Sequence, residues 1–330
     1  MSTFGANYER ECTWAVGALA EAAMVCERVQ RHRVQGGALT KGDKSPVTVA
    51  DFGAQAVIAV TLAKEFPGDA IMGEEDAAEL REPANAAIAQ QVVAEVQERE
   101  PGLSRAEVFA AIDRARSEGG SGRFWCLDPI DGTKGFLRGE QYAVALALLE
   151  GGEVKVGALA CPSLPFDGAP GCILLAAKGC GARALTLRQG GAGKPVPVRV
   201  TPTRDGALAR LVESVESGHG DHASHERVRA ALRCATPSVR LDSQAKYAVL
   251  ARGDGEIYLR MPTSADYREN LWDQAAGARI IEEAGGRVTD VDGRSLDFTR
   301  GRKLLGNQGI VATNGALHDA VLAAIKTLRA

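Results

Sequence analysis

The segment Phe124 to Thr133 reads Phe-Trp-Cys-Leu-Asp-Pro-Ile-Asp-Gly-Thr. It constrains the chain more than any other stretch. Its first four residues predict a short buried strand, with Asp128 opening a loop. Pro129 stiffens that loop by fixing its own φ, and Gly132 permits a left-handed backbone angle. Two carboxylates three residues apart, with a carbonyl between them, offer the oxygen donors that a hard cation such as Mg²⁺ takes. Gly132 and Thr133 can add backbone N–H groups for an anion, most of all if a helix begins there. A bare pair of aspartates at this spacing is usually a solvated turn. Behind an apolar strand, the whole string reads as a loop that aims both carboxylates and the intervening carbonyl at one point.

The rest of the chain alternates helix-like and strand-like segments. Helices are predicted over Tyr8 to Val34 and Asp51 to Phe66; in the second, Phe52, Ala56, Ala59, Ala63 and Phe66 make one apolar face. Thr40 to Thr48 reads as a polar loop. Glu82 to Ser117 reads as two helices around Pro101-Gly102, and Gly119 to Gly122 as a joint. Gly151-Gly152 between two apolar runs, 143–149 and 154–160, predicts a hairpin. Gly190 to Pro197 reads as a linker. Beyond it, Leu208 to Val215, Glu226 to Leu232, Leu241 to Ala251 and Glu256 to Arg260 continue the alternation. A helix over Trp272 to Ala284 is stopped by Gly285-Gly286, and another closes the chain at Leu317 to Leu328. With 330 residues, two packed α/β units are expected, 1–205 and 206–330.

Some function classes are excluded on simple grounds. A formal net charge of −3 argues against general nucleic-acid or membrane binding, so an anionic ligand needs a local constellation. No apolar run approaches the ~20 residues of a membrane span. Met1 to Arg10 is neither a signal peptide nor an Arg-rich transit peptide. The seven cysteines contain no C-x-x-C pair, which fits free thiols in a reducing compartment and not a zinc site or disulfide framework. A cytoplasmic protein is expected, or an organellar one (chloroplast or mitochondrion) if a transit peptide has been removed, but not a secreted one.

Three further motifs accompany the Asp128 string in a fixed order. They are Ser45-Pro46-Val47-Thr48-Val49-Ala50-Asp51, Gly73-Glu74-Glu75, and Trp272-Asp273-Gln274-Ala275-Ala276-Gly277 followed by Glu283-Ala284-Gly285-Gly286. Asp51 opens one predicted helix and Asp273 sits in the first turn of another, positions that favour a carboxylate. Together these motifs resemble the signatures of the inositol-monophosphatase superfamily, from about Tyr8 to Leu328. The likeness is greatest to its fungal and plant 3′(2′),5′-bisphosphate nucleotidase branch. Phe124 to Glu140, the long helical insertion after Glu74, and Leu241 to Tyr247 with Glu256 to Arg260 carry that finer resemblance.

The resemblance implies a layered αβαβα sandwich with the site in a cleft between the two units. It implies two or three Mg²⁺ ions held by Glu74, Asp128, Asp131, Asp273 and the Ile130 carbonyl. It makes Asp51 and Thr133 a proton relay, with Gly132 and Thr133 on the phosphate. Ser243, Lys246, Arg260 and Asp273 would contact the nucleotide, joined by a histidine, His219 with His222 as its rival. The implied reaction is removal of the 3′-phosphate of adenosine 3′,5′-bisphosphate, a step of sulfur metabolism inhibited by Li⁺, with 3′-phosphoadenosine 5′-phosphosulfate as a second substrate. The alternatives are an inositol polyphosphate 1-phosphatase and a non-catalytic phosphoadenosine sensor. Two departures stand out: Asn270 where a lysine is common, and Gln274 where a histidine is usual. Neither position is a metal ligand in the family, so catalysis is expected to survive. Oligomeric state is not legible.

Overall fold

The computed structural model describes residues 8–32, 38–40, 46–188, 191–215, 222–262, 264 and 266–329. Its first part contains α1 (Glu9–His32), β1 (Ala38–Thr40), β2 (Pro46–Thr48), α2 (Val49–Glu65), β3 (Ala70–Gly73), α3 (Ala86–Gln97) and α4 (Arg105–Asp113). There follow β4 (Phe124–Asp131), α5 (Thr133–Arg138), β5 (Ala143–Glu150), β6 (Glu153–Cys161), β7 (Gly171–Ala177), β8 (Ala182–Arg188), β9 (Gly191–Ala192) and β10 (Val196–Val198). The remainder holds β11 (Leu211–Glu213), α6 (His222–Leu232), β12 (Val239–Arg240), α7 (Ala245–Ala251), β13 (Ile257–Arg260), α8 (Ala275–Glu283), β14 (Arg287–Thr289), β15 (Ile310–Thr313) and α9 (His318–Arg329).

Helix α1 shows why these pieces stack. Cys12, Ala15, Leu19, Ala22, Cys26 and Val29 are buried at alternating spacings of three and four, one stripe against α2 and the sheet. Helix α2 differs from the single apolar face expected for it. Every residue from Val49 to Val60 is buried, because α1, α3, α4 and β4 all pack on it. A helix covered on all sides has no polar face to keep.

The large sheet has the order β10-β8-β7-β6-β5-β4-β3, with β9 added beside β8. It is antiparallel except where β3 meets β4. The Gly151-Gly152 hairpin is present, both glycines at positive φ. The segment read as a linker, Gly190 to Pro197, is instead partly strand, since β9 and β10 both pair with β8. The segment read as a loop over Thr40 to Thr48 carries β2, which pairs antiparallel with β1 at its start. The smaller sheet has the order β12-β11-β13-β15-β14.

Five layers result. Helices α1 and α2 cover one face of the large sheet, while α7 and α8 lie between the two sheets, touching β6 and β13 or β15. Helices α6 and α9 pack together, with α9 on the outer face of the smaller sheet. This is the αβαβα sandwich. One hydrophobic cluster runs through its middle, joining Phe124, Leu159 and Leu174 of the large sheet to Tyr247, Ile280 and Ala312.

Candidate active site

Strand β4 runs further than its apolar residues suggested. It continues through Asp128, Pro129, Ile130 and Asp131, so these acids do not sit on a loop. In a regular strand residues three apart face opposite sides. Here Asp128 pairs with Ala145 and Asp131 with Ala143, so β4 carries one residue more than β5 between them. That bulge turns both carboxylates to one face. Pro129 has no N–H to give to a ladder, which suits it to such a place. Gly132 follows at φ 87°, and a Cβ there would stand 2.9 Å from that of Ser243. Only glycine allows this approach. Helix α5 then begins at Thr133, whose hydroxyl donates to the Ile130 carbonyl at 3.2 Å.

The smaller sheet and the α7–α8 layer close the site. The backbone N–H of Gln244 donates to Asp131 Oδ2 at 2.6 Å, tying the start of α7 to the end of β4. Ser243 beside it takes φ 67°, a strained angle for a side chain with Cβ, and its Oγ accepts from the Ala245 N–H. Asp273 does not occupy the first turn of α8 as expected. It lies in a turn before the helix, whose cap is Gln274. Arg260, at the end of β13, is held by Glu269 (2.7 Å), donates to the Tyr267 hydroxyl (3.0 Å), and stands 3.7 Å from Asp273. Lys246 is buried with its ammonium 5.4 Å from the centre of the Tyr258 ring.

A cavity of about 790 Å³ lies between these elements. Glu74, Asp128, Ile130, Asp131, Gly132, Thr133, Ser243, Lys246, Arg260 and Asp273 all line it. Asp51 does not: it is buried in the first turn of α2, close enough for its charge to act on Asp128. His219 lies outside the described residues. His222 begins α6, and nothing is described of its side chain. The Ser45-Pro46 motif is described only from Pro46 onward.

The electrostatics of the wall are lopsided. Burial pushes the Asp128 carboxyl well above its usual range, and the charges of Glu74, Asp131, Asp273 and Asp51 push the same way. Burial likewise raises Asp273, while Arg260 opposes it. Burial lowers Lys246 to about 8. Among the described residues Asp128 Oδ1 is buried without a hydrogen-bond partner. An oxygen-only donor set with an orphaned carboxylate oxygen and mutually repelling acids suits a hard divalent cation. The acids do not meet at one point, however. Among the described residues no three His, Cys, Asp or Glu side chains are drawn together into a ready metal site. They are spread around the cavity, as repulsion between like charges favours.

Several contributors carry no signature in the sequence. Gln55, one turn after Asp51 and fully buried, donates to the Glu75 carbonyl (2.7 Å) and accepts from its N–H (3.1 Å), pinning the Glu74-Glu75 segment to α2. Glu269 steadies Arg260. Gln274 links Glu269 (3.0 Å) to the Tyr247 hydroxyl (2.6 Å) from a fully buried position off the cavity wall, so replacing the usual histidine there does not alter the wall. Asn270 does line the cavity, directly across an antiparallel bridge from Lys303.

The sequence model of the inositol monophosphatase family matches residues 7–330. The 3′(2′),5′-bisphosphate nucleotidase of Emericella nidulans is 43% identical, covering 97% of this chain and 98% of that protein. Its namesake in Oryza sativa is 42% identical, covering 98% and 95%. Among solved structures, the Thermotoga maritima IMPase aligns with a TM-score of 0.68 at 24% identity over 96% of this chain and 97% of its own. The inositol monophosphatase of Anabaena aligns at 0.65 and 20%, over 98% and 97%.

Proposed function

Because the chain belongs to the inositol monophosphatase family, we propose that it hydrolyses the 3′-phosphate of adenosine 3′,5′-bisphosphate to AMP and phosphate. Support comes from the name borne by the relatives at 40–43% identity. The observation that carries the reading is one cavity lined both by these acids and by two cations, Lys246 and Arg260. A substrate with two phosphates matches that lining, which offers both acids for a cation and cations for an anion. One phosphate sits where the acids are and the other at the fixed guanidinium and ammonium, which suit an anion.

Glu74, Asp128, Asp131, Asp273 and the Ile130 carbonyl are the residues that would hold Mg²⁺. Bound there, divalent ions neutralise phosphate charge and make water a better nucleophile. The chain's own residues do the rest. Gly132 and Thr133 place the scissile phosphate through backbone N–H groups at the turn into α5. Thr133, on the cavity wall, orders the attacking water, and Asp51, buried behind the wall, receives the proton by relay through Thr133. The water oxygen bonds to phosphorus as the bond to the 3′-oxygen breaks, and that oxygen leaves with a proton as the hydroxyl of AMP. The 3′-phosphate of the 5′-phosphosulfate is reached in the same way.

Phosphate release from a substrate panel tests the proposal. The panel is adenosine 3′,5′-bisphosphate, its phosphosulfate, inositol 1,4-bisphosphate, inositol 1-phosphate and fructose 1,6-bisphosphate. The highest kcat/KM is expected on the adenosine bisphosphate, with no release in excess chelator. Preference for either inositol phosphate would overturn the substrate assignment, and binding without turnover would make the chain a sensor.

A further inference from the structure

Arg302 lies outside every motif of the sequence, yet its guanidinium touches both Trp272 of the cavity wall and the residue before Glu74. It donates to the carbonyl of Gly73, the residue before Glu74, and to the carbonyl of Ser117 at 3.1 Å. Ser117 belongs to a segment laid along β3: its N–H bonds the Ile71 carbonyl, and the Gly73 N–H bonds Ala115. The same guanidinium lies 4.8 Å from the centre of the Trp272 ring, next to Asp273. Its backbone is fastened there too. The Leu271 N–H bonds the Arg302 carbonyl (3.0 Å), the Leu304 N–H bonds the Glu269 carbonyl (2.9 Å), and Asn270 pairs with Lys303.

Glu74 arrives on the large sheet and Asp273 on the turn before α8, some two hundred residues apart in the chain. Nothing in β3 alone sets the distance between them. Arg302 does: its main chain is strapped to the Glu269–Leu271 segment leading into Asp273, and its side chain grips the carbonyl behind Glu74. The geometry points to Arg302 as a positioning residue that sets the spacing between Glu74 and Asp273 and so the affinity of the cavity for divalent cations. Only arginine fits this task. Its planar fork can donate to two carbonyls while its face rests on an indole, whereas a lysine ammonium is a point donor without a flat face. The inference rests on the proposal that Glu74 and Asp273 are ligands of Mg²⁺.

Arg302→Lys keeps the charge and removes the fork. The readout is Mg²⁺ binding without substrate, by calorimetry and by the rise of Tm with Mg²⁺ concentration. Losing a group that orients ligands typically costs roughly 10- to 100-fold in metal affinity. The Mg²⁺ midpoint should therefore rise by that factor in Arg302→Lys, while KM for the nucleotide at saturating Mg²⁺ changes little. Arg302→Gln, which keeps a single donor group, should behave alike and serves if the lysine variant does not fold. Arg210→Lys is the control. It loosens a guanidinium clamped on Glu256 and the Gly253 carbonyl, outside the cavity wall, and should leave the midpoint unchanged. A wild-type midpoint in Arg302→Lys, with binding lost in Asp128→Asn, overturns the role of Arg302 and leaves the metal site standing. A wild-type midpoint in Asp128→Asn removes the metal assignment itself.

Discussion

Asp128 and Lys246 are both buried ionisable groups, but their removal should read out in opposite ways. Asp128 is held against burial and the charges of four other acids, so its ionised form costs stability. Asp128→Asn should lower turnover by orders of magnitude and, in chelator, raise Tm, a combination expected where function is maintained at the expense of stability. A fall in Tm in chelator would show that the carboxylate has partners the structure does not give it. Lys246 should act on recognition instead. If its hold on the second phosphate is equal in ground and transition states, Lys246→Ala raises KM and spares kcat. One charge-assisted hydrogen bond of about 1.5–3 kcal/mol corresponds to one to two decades in kcat/KM on adenosine 3′,5′-bisphosphate. The loss should nearly vanish on 3′-AMP, which lacks the 5′-phosphate. Equal losses on both substrates would remove Lys246 and the second-phosphate pocket from the proposal. The acids were legible because motif strings carry them. Arg302, Gln55 and Glu269 were not, because each acts through a backbone group or another side chain elsewhere in the chain, and such contacts leave no periodicity.

At the scale of elements, apolar pattern located α1, α2, α8, α9 and the β5–β6 hairpin but not β7, β8, β14 or β15, and ends went astray where polar function intrudes. Strand β4 was cut short at Asp128 because acids and a proline do not read as strand. The bulge that keeps them in the sheet depends on the register of β5, which no local pattern shows. Cys161 and Cys172, eleven residues apart, face each other across β6 and β7 for the same kind of reason. The stop of α8 was legible because Gly285, at φ 93°, leaves the Gly286 N–H to bond back to the Ile281 carbonyl, a glycine task. Within α8, a Cβ on Gly277 would lie 2.1 Å from the Tyr247 ring. Gly277→Ala should therefore cost about 1–3 kcal/mol by overpacking, read as a lower urea midpoint, and an unchanged midpoint would mean that α7 and α8 separate without strain.

Helix α9 carries a pH dependence of its own. His318 is fully buried between two hydroxyls, Thr289 to Nε2 and Thr313 to Nδ1, each at 3.0 Å. Thr289 gives its proton to the Asp290 carbonyl, and Thr313 accepts from the Gly315 N–H. The ring is thus neutral, protonated on Nε2 and accepting from Thr313 at Nδ1. Burial, with the charge of Arg287, lowers its pKa from 6.5 to about 4. The unfolded chain then binds the extra proton between those values, so stability rises with pH across the window. It is complete above 6.5 and is lost as pH falls toward 4, by at most about 3 kcal/mol. In His318→Asn the slope of urea midpoint against pH over this range should be shallower than in the wild type. Equal slopes would assign the acid sensitivity to the buried carboxylates of the cavity.

At the scale of the whole molecule, the boundary near residue 205 separates two sheets but not two cores. The large sheet draws on residues 70–198 and the smaller on 211–313. Helices α7 and α8, which come after the boundary, cover the inner face of the large sheet, where Met72, Phe124, Leu149, Val154, Leu159 and Leu174 are buried. Composition suggests a break near 205, yet the segment 190–197 that reads as a linker carries β9 and the start of β10 of the large sheet. The sequence did not show which sheet a given helix would cover, since an apolar stripe carries no address. Burying one such side chain contributes about 1.5–3 kcal/mol. Exposing this face together would therefore remove as much as the ~5–15 kcal/mol by which a whole domain is stable. A chain ending at 205 should accordingly fail to fold alone, binding hydrophobic dye and lacking a cooperative melt. The full chain should unfold in one calorimetric transition whose van't Hoff and calorimetric enthalpies agree. Two resolved transitions, or a folded fragment 1–205, would show that the units are independent and that α7 and α8 merely rest on a sheet able to stand without them.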